Sequence, residues 1–307
     1  MERGTALLAA PRSCMPSLRP LKRAWLDAGL RVEWHAFDGA MPDLAMQVRA
    51  RDDISAALLV GPARRAPATV LPAPFVVDRA GRRVPIAWLP ATDARSLRRF
   101  AMAAARVHCR RGTGAGVALF SQWHPRYLYI VERMENLLRK RLRVFRWTSD
   151  VIRREGLVHA MGSGLGLGMY VGHGRPIGWV GYHGTRSHHF HKYSGEPMGA
   201  VLSLCCRTAS RRRTGLSYAE SLPLLGVAAA SFGATSDTLH TENTRWAVAI
   251  CDVLARGGIS TIGELVTRSA PFSSETGSSY RLIGDPFAPL TTARAALERA
   301  DAVQVYP

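Results

Sequence analysis

Two short runs of the sequence, LGMYVGHG at residues 167–174 and GAVLSLCCRTA at residues 199–209, share one pattern. Each is an apolar run of strand length that stops at a reactive side chain, His173 in the first run and Cys206 in the second. The carboxyl ends of neighbouring parallel strands meet at one rim of an α/β sheet, and such sheets bind ligands at that rim. The pattern therefore predicts an imidazole beside a thiol. A neighbouring base of this kind converts a thiol into a nucleophilic thiolate.

Strand and helix patterns alternate along the whole chain, which is typical of a parallel sheet with helices on its faces. One segment, RRGTGAG at residues 110–116, is charged, rich in glycine and without apolar periodicity, so it predicts a boundary. Residues 62–85 contain several prolines and predict a loop or an irregular edge hairpin. Helices are predicted to begin at capping residues: Thr92 or Asp93, Ser149 or Asp150, and Ser217.

The composition limits the function classes. The chain has 307 residues with 41 Lys and Arg against 23 Asp and Glu, a formal charge of +18. Such a charge attracts nucleic acid. However, nearly all of the cations are arginines spread along the chain, so a compositional bias is the favoured explanation and nucleic-acid binding is not expected. A basic nucleic-acid-binding adaptor is kept as an alternative.

No cofactor or metal is expected. The five cysteines are odd in number and include no CxxC pair, so neither a disulfide framework nor a zinc site is indicated. A histidine cluster lacks the helical spacing and the carboxylate of a metal site; it comprises His183, His188, His189 and His191. No uncharged apolar stretch approaches the roughly 18 residues of a membrane span, and no secretory signal is recognised, so we expect a cytoplasmic protein.

The order of these motifs resembles that of the caspase-like (clan CD) cysteine peptidases, most closely the gingipain family, C25. The resemblance rests on YVGHG at residues 170–174, the following Trp179, and the small-residue strand that ends in CRTA at residues 206–209. It extends over roughly residues 50–290 through further short motifs, which are AALLVG at 56–61, VPIAWLPAT at 84–92, AES at 219–221, FGAT at 232–235 and LIGDP at 282–286.

The resemblance implies a three-layer α/β/α fold with a mostly parallel sheet and two lobes. We assign an N-terminal α/β lobe to residues 1–112, a catalytic lobe to 113–290, and a C-terminal tail or helix to 291–307. It also implies a cysteine endopeptidase that attacks protein substrates through a thiolate and an acyl-enzyme. Regulatory cleavage of a partner protein is the expected role, and an inactive scaffold with the same fold is the main alternative.

Residue roles follow from the same resemblance. Cys206 corresponds to the nucleophile and His173 to the general base, while Cys205 stands where the family usually has alanine. Backbone N–H groups of Gly174 and Cys206 would form the oxyanion hole. The family's third residue, an acid after the strand at 117–121, is missing, so either a carbonyl or Gln122 is left to orient His173.

Four residues are candidates for substrate binding. They are Trp179, Trp246, Arg126 and Arg207. The two tryptophans could wall the pocket, although Trp246 could equally be a core residue. Because arginines surround the predicted rim and carboxylates are few there, we expect cleavage after an acidic or an apolar residue and not after a basic one.

Overall fold

The computed structural model describes residues 4–112, 114–271 and 278–303. Its strands are β1 (Thr5–Pro11), β2 (Arg31–Phe37), β3 (Ile54–Pro62), β4 (Phe75–Val77), β5 (Arg83–Ala91), β6 (Gly116–Ser121), β7 (Arg143–Thr148), β8 (Leu167–Val171), β9 (Gly174–Arg175), β10 (Gly178–Trp179), β11 (Thr185–Arg186), β12 (Met198–Leu204), β13 (Ala228–Ala234) and β14 (Tyr280–Gly284). Its helices are α1 (Met15–Asp27), α2 (Leu44–Arg49), α3 (Pro67–Val70), α4 (Ala94–His108), α5 (Pro125–Leu138), α6 (Arg154–Met161), α7 (Gly181–Gly184), α8 (Tyr218–Leu224), α9 (His240–Arg256), α10 (Ile262–Ser269) and α11 (Arg294–Asp301).

One sheet runs through the molecule, with the strand order β2-β1-β3-β5-β14-β13-β12-β8-β6-β7, and β4 pairs with β5. The pairing is parallel except for β13 with β14 and β4 with β5. The mostly parallel α/β fold expected from the sequence is therefore confirmed. Between the described parts of the two proposed lobes the sheet is continuous, because β14 pairs with both β5 and β13.

Helices cover both faces of the sheet. Along β1, Leu8 points to one apolar core and Leu7 to the opposite one, as the two-residue period of a strand requires. Helices α1, α4, α5, α9 and α10 contribute to the first core, and α2, α6 and α8 contribute to the cores of the other face. Strands buried on both faces explain why the sequence shows continuous apolar runs.

The helix starts show where local sequence is decisive. Asp93 caps α4 by accepting from the Ser96 N–H, and Ser217 forms a capping box with Glu220 at α8. The cap predicted at Ser149 or Asp150 is wrong, since α6 begins only at Arg154. The Ser149 hydroxyl accepts instead from the Trp123 N–H, at 2.6 Å, and so joins the ends of two strands.

The predicted boundary at residues 110–116 includes Thr113, which lies outside the described residues. Its flanks are packed against the segment before α11. A Cβ built at Gly112 would lie 2.1 Å from the Thr292 carbonyl oxygen, and the Thr292 hydroxyl accepts from the Gly116 N–H at 2.7 Å. None of the described helices is long and apolar enough to cross a membrane.

Candidate active site

His173 follows the end of β8, and its backbone is held from two directions. Its N–H donates to the Gln122 side-chain oxygen at 3.1 Å. Its carbonyl oxygen accepts from the Tyr170 hydroxyl at 3.1 Å and from the Val180 N–H at 3.0 Å. Gln122, which we considered as a partner of the imidazole, therefore fixes the loop backbone.

The imidazole of His173 contacts a residue that the sequence did not indicate. Its Nε2 lies 3.2 Å from the hydroxyl oxygen of Tyr127 on α5, and the two rings are nearly perpendicular. Burial raises the pKa of the Tyr127 phenol, so this hydroxyl keeps its proton at neutral pH. In the described part of the chain, no carboxylate hydrogen-bonds to this ring, which leaves Tyr127 as its side-chain partner.

Trp179 connects the histidine strand with the cysteine strand. Its ring stacks on Tyr170 with 4.3 Å between centroids, and its indole N–H donates to the Ser203 hydroxyl of β12 at 2.8 Å. Trp179 is fully buried, so it does not present its ring to a substrate. Its contacts instead support the position of the His173 loop.

The two adjacent thiols follow the end of β12 and have different environments. Cys205 is fully buried, and burial raises its pKa far above the ordinary value, so it stays a neutral thiol. Cys206 is half-buried, and its Sγ accepts from the Thr238 N–H at 3.4 Å. Of the two thiols, only Cys206 lines a cleft.

Gly174 lies against the backbone of the nucleophile loop. A Cβ at this position would lie 2.3 Å from the Cys206 carbonyl oxygen and 2.6 Å from the Cys205 Sγ. A side chain would therefore push the two loops apart, and only glycine permits the observed approach.

The cleft beside Cys206 has a volume of about 230 Å³. His173 and Cys206 both line it, and the remaining lining residues come from α5, α9 and the strand ends; they are Arg126, Tyr127, Ile130, Val171, Gly172, Leu204, Thr238, His240, Asn243, Thr244 and Ala247. Burial, and then the nearby charge of Arg126, lowers the pKa of His240.

The candidate substrate-binding residues are only partly brought together. Arg126 lines the cleft. Arg207 has a left-handed backbone (φ 59°) and forms an ion pair with Asp237. Trp246 is fully buried and packs on Phe232, so the structure does not support the expected pocket wall at this position. The cleft is lined instead by other residues of the same helix, Asn243, Thr244 and Ala247.

Comparison with known proteins agrees with this architecture. The family model of peptidase family C25 matches residues 128–291. The fold is similar to that of the Arg-specific cysteine proteinase gingipain R, with a TM-score of 0.72 and 15% identity over 94% of this chain and 78% of that chain. It is also similar to a chain in the complex of Porphyromonas gingivalis RgpB pro- and mature domains, with a TM-score of 0.71 and 15% identity over 95% of this chain and 81% of that chain.

A more distant similarity is to the Saccharomyces cerevisiae separase–securin complex, with a TM-score of 0.52 and 15% identity over 76% of this chain and 16% of that chain. No curated protein gives a significant match. At these identities the structural similarities show the fold alone, whereas the family model matches more than half of the chain. The protein therefore belongs to peptidase family C25 and is a cysteine-type peptidase with a caspase-like fold.

Proposed function

We propose that the protein is an endopeptidase in which Cys206 is the nucleophile and His173 is the general base. The supporting observation is the register of the two strands that precede these residues. Val171 and Leu204 are paired on the neighbouring parallel strands β8 and β12. His173 and Cys206 each follow two residues later, so both emerge at the same rim and line the same cleft.

The reaction needs these two side chains, backbone N–H donors, a substrate and water. His173 accepts the proton of the Cys206 thiol, and the thiolate attacks the carbonyl carbon of the scissile bond. Backbone N–H groups of Gly174 and Cys206 would donate to the oxygen that becomes negative. The imidazolium then gives its proton to the leaving amine, and an acyl-enzyme forms. A water molecule, deprotonated by His173, releases the carboxylic acid and restores the thiol.

Tyr127 would orient the base. When His173 is an imidazolium, both ring nitrogens carry protons, and Nε2–H can donate to the Tyr127 oxygen, which lies 3.2 Å away. Nδ1 then remains for exchange with the thiol. A neutral phenol stabilises the imidazolium less than a carboxylate does, so the protein would rely mainly on the thiolate–imidazolium pair.

Limited cleavage of protein partners is the role that we propose for this activity. The cleft beside Cys206 has room for one side chain of the substrate, which favours selection over general digestion. An inactive scaffold is less well supported, because the Cys206 side chain is accessible and lies in the same cleft as His173.

The assignment is tested with a thiol-reactive peptide probe and a peptide library. Cys206→Ala and His173→Ala are expected to reduce turnover to background, a loss on the order of 10³-fold or more, with an unchanged circular dichroism spectrum. Cys205→Ala is the matched control and should keep its activity and its probe labelling. Loss of activity in Cys205→Ala with retention in Cys206→Ala would reverse the assignment. If the folded wild type neither cleaves the library nor reacts with the probe, the scaffold alternative is correct.

A further inference from the structure

The cleft beside Cys206 has an apolar floor and a basic mouth. Its floor is formed by the ends of β8 and β12, at Val171 and Leu204, and by Ile130 of α5. Arg126 and His240 stand above it, and no carboxylate is found among the described residues that line it. Arg126 is exposed and has no ion-pair partner in the described part of the chain.

Two carboxylates close to the cleft in the sequence, Asp237 and Glu242, are not among the residues that line it. Asp237 forms an ion pair with Arg207. Glu242 follows His240 by two positions on α9 but does not line the cleft. It interacts with the backbone N–H of Ser279, its Oε1 is buried with no hydrogen-bond partner among the described residues, and burial raises the pKa of this carboxyl. A lysine or arginine side chain entering the cleft would therefore meet a like charge and no described counter-charge, which is costly once water is displaced.

Asn243 of α9 adds a hydrogen-bond donor to the lining of the cleft. Its side-chain oxygen already accepts from the Tyr280 hydroxyl at 2.7 Å. Its amide N–H groups are therefore the part of the side chain that can serve a ligand. A carboxylate bound in the cleft could accept from the guanidinium of Arg126 and from this amide, since both residues line it.

The apolar alternative is weakened by the position of the two tryptophans. Trp179 and Trp246 are both fully buried in the core, so neither offers an aromatic wall to an apolar side chain. A leucine in the cleft would cover Val171 and Leu204, but it would also remove water from the Arg126 guanidinium without replacing its hydrogen bonds.

We infer that the residue before the cleaved bond is acidic, aspartate or glutamate, and that Arg126 selects it through charge-assisted hydrogen bonds. This inference rests on the proposed function of Cys206 and His173. A guanidinium can bind a carboxylate in a bidentate manner, which gives both affinity and orientation. Arg126 is thus a specificity-determining residue, and the preference differs from that of gingipain R, which is Arg-specific.

The test uses reporter peptides that differ only in the residue before the cleaved bond: Asp, Glu, Leu, Lys and Arg. For the wild type we expect kcat/KM for the acidic reporters to exceed that for the basic ones by about 10- to 100-fold, the range expected of a charge-assisted hydrogen bond. Arg126→Met keeps the length of the stem but removes the charge, and it should lower the ratio of Asp to Leu turnover by a similar factor. Arg126→Lys should restore part of that ratio.

Arg133→Met is the matched control, because Arg133 is exposed on the same helix and does not line the cleft. It should leave the ratio unchanged. Preferred turnover of the Lys or Arg reporter by the wild type would overturn the inference while leaving the dyad intact. An unchanged Asp-to-Leu ratio in Arg126→Met would also overturn it. If no reporter is cleaved and no thiol-reactive peptide labels Cys206, the inference falls together with the proposed function.

Discussion

The first half of the sheet, with β1, β3 and β5, and the second half, with β6, β8 and β12, have the same strand architecture but carry different side chains at their strand ends. Strands β1, β3 and β5 are parallel and buried, as are β6, β8 and β12. In the first half, β3 and β5 end in Gly61-Pro62 and Pro90-Ala91, which carry no titratable group. In the second half, the strand ends lead to His173 and Cys206. The repeated strand–helix pattern therefore supplies positions, and the side chains at the strand ends determine which of them can support chemistry.

The first half still contributes to the second through a buried ionic network. The segment after Cys206 is fastened by Arg211, which donates to both carboxylate oxygens of Glu220, at 2.8 and 2.5 Å. Glu220 also accepts from the indole N–H of Trp88 on β5, at 2.9 Å. Arg211 also donates to the Ala63 carbonyl oxygen, so hydrogen bonds connect the loop that follows the proposed nucleophile to the first half of the sheet.

Removal of the Glu220 carboxylate should have the largest effect on stability. Its side chain is 0% exposed and that of Arg211 is 10% exposed, so Glu220→Ala would leave a buried cation without its partner. We expect a loss of about 3–5 kcal/mol in the free energy of unfolding, measured by urea denaturation. Glu298→Ala, which removes an exposed pair with Arg294, should change it by less than about 1 kcal/mol. Similar small losses in both variants would show that the two halves are not joined through this network.

Two tryptophan variants distinguish a residue that only stabilises the fold from one that also positions the candidate active site. Trp25 in the first half and Trp179 in the second are both fully buried, and their indole N–H groups donate to Asp285 at 3.0 Å and to Ser203 at 2.8 Å. Either change to Phe should cost about 1–3 kcal/mol of stability. Only Trp179→Phe should also lower kcat/KM, because Trp179 stacks on the tyrosine that holds the His173 carbonyl.

Activity should be measured well below the melting temperature of both variants, so that the folded population is the same. Equal loss of activity in the two would contradict the distinction between the halves. An unaffected kcat/KM in Trp179→Phe would show that the stacking on Tyr170 does not position His173.

Local sequence was sufficient where a feature depends on neighbours along the chain. The strands that lead to His173 and Cys206 and the caps at Asp93 and Ser217 are of this kind. Features that depend on packing between distant segments were missed. The place of β14 between β5 and β13 depends on pairing across much of the chain, and no local pattern specifies it.

Tyr127 illustrates a signal that was present but not used. It begins the buried face of α5, which continues through Val131, Met134 and Leu138 at helical spacing. Tyr127 lies in the first turn of α5, close to the rim of the sheet where β6 ends. Whether its hydroxyl reaches His173 depends on how α5 lies on the sheet, which the sequence alone does not define.

The smallest expected effect is a change in the pKa of His240. It tests whether the arginines of the two halves differ in their pairing with carboxylates. In the first half, Arg51 is paired with two carboxylates, because its guanidinium lies 2.5 Å from Glu33 of β2 and 2.7 Å from Asp53. In the second half, Arg126 instead stands beside His240, whose pKa is lowered by burial and then by the arginine. Arg126→Met removes a nearby cation, which makes protonation of the imidazole easier, so the pKa of His240 should rise.

A titration of the His240 ring signals by NMR would measure this change, with Arg133→Met as a variant that should show none. Because burial remains, the pKa in Arg126→Met should still lie below the ordinary value near 6.5. Apart from the proposed Cys206–His173 pair, the described lining of the wild-type cleft carries the cation of Arg126 at neutral pH and gains that of His240 as the pH falls through the pKa of His240. The preference for acidic over apolar reporters should strengthen over that interval and decline once the substrate carboxylate itself is protonated, near pH ~4. An unchanged His240 pKa in Arg126→Met would place the guanidinium outside the cleft and remove the charge contrast on which the expected specificity depends.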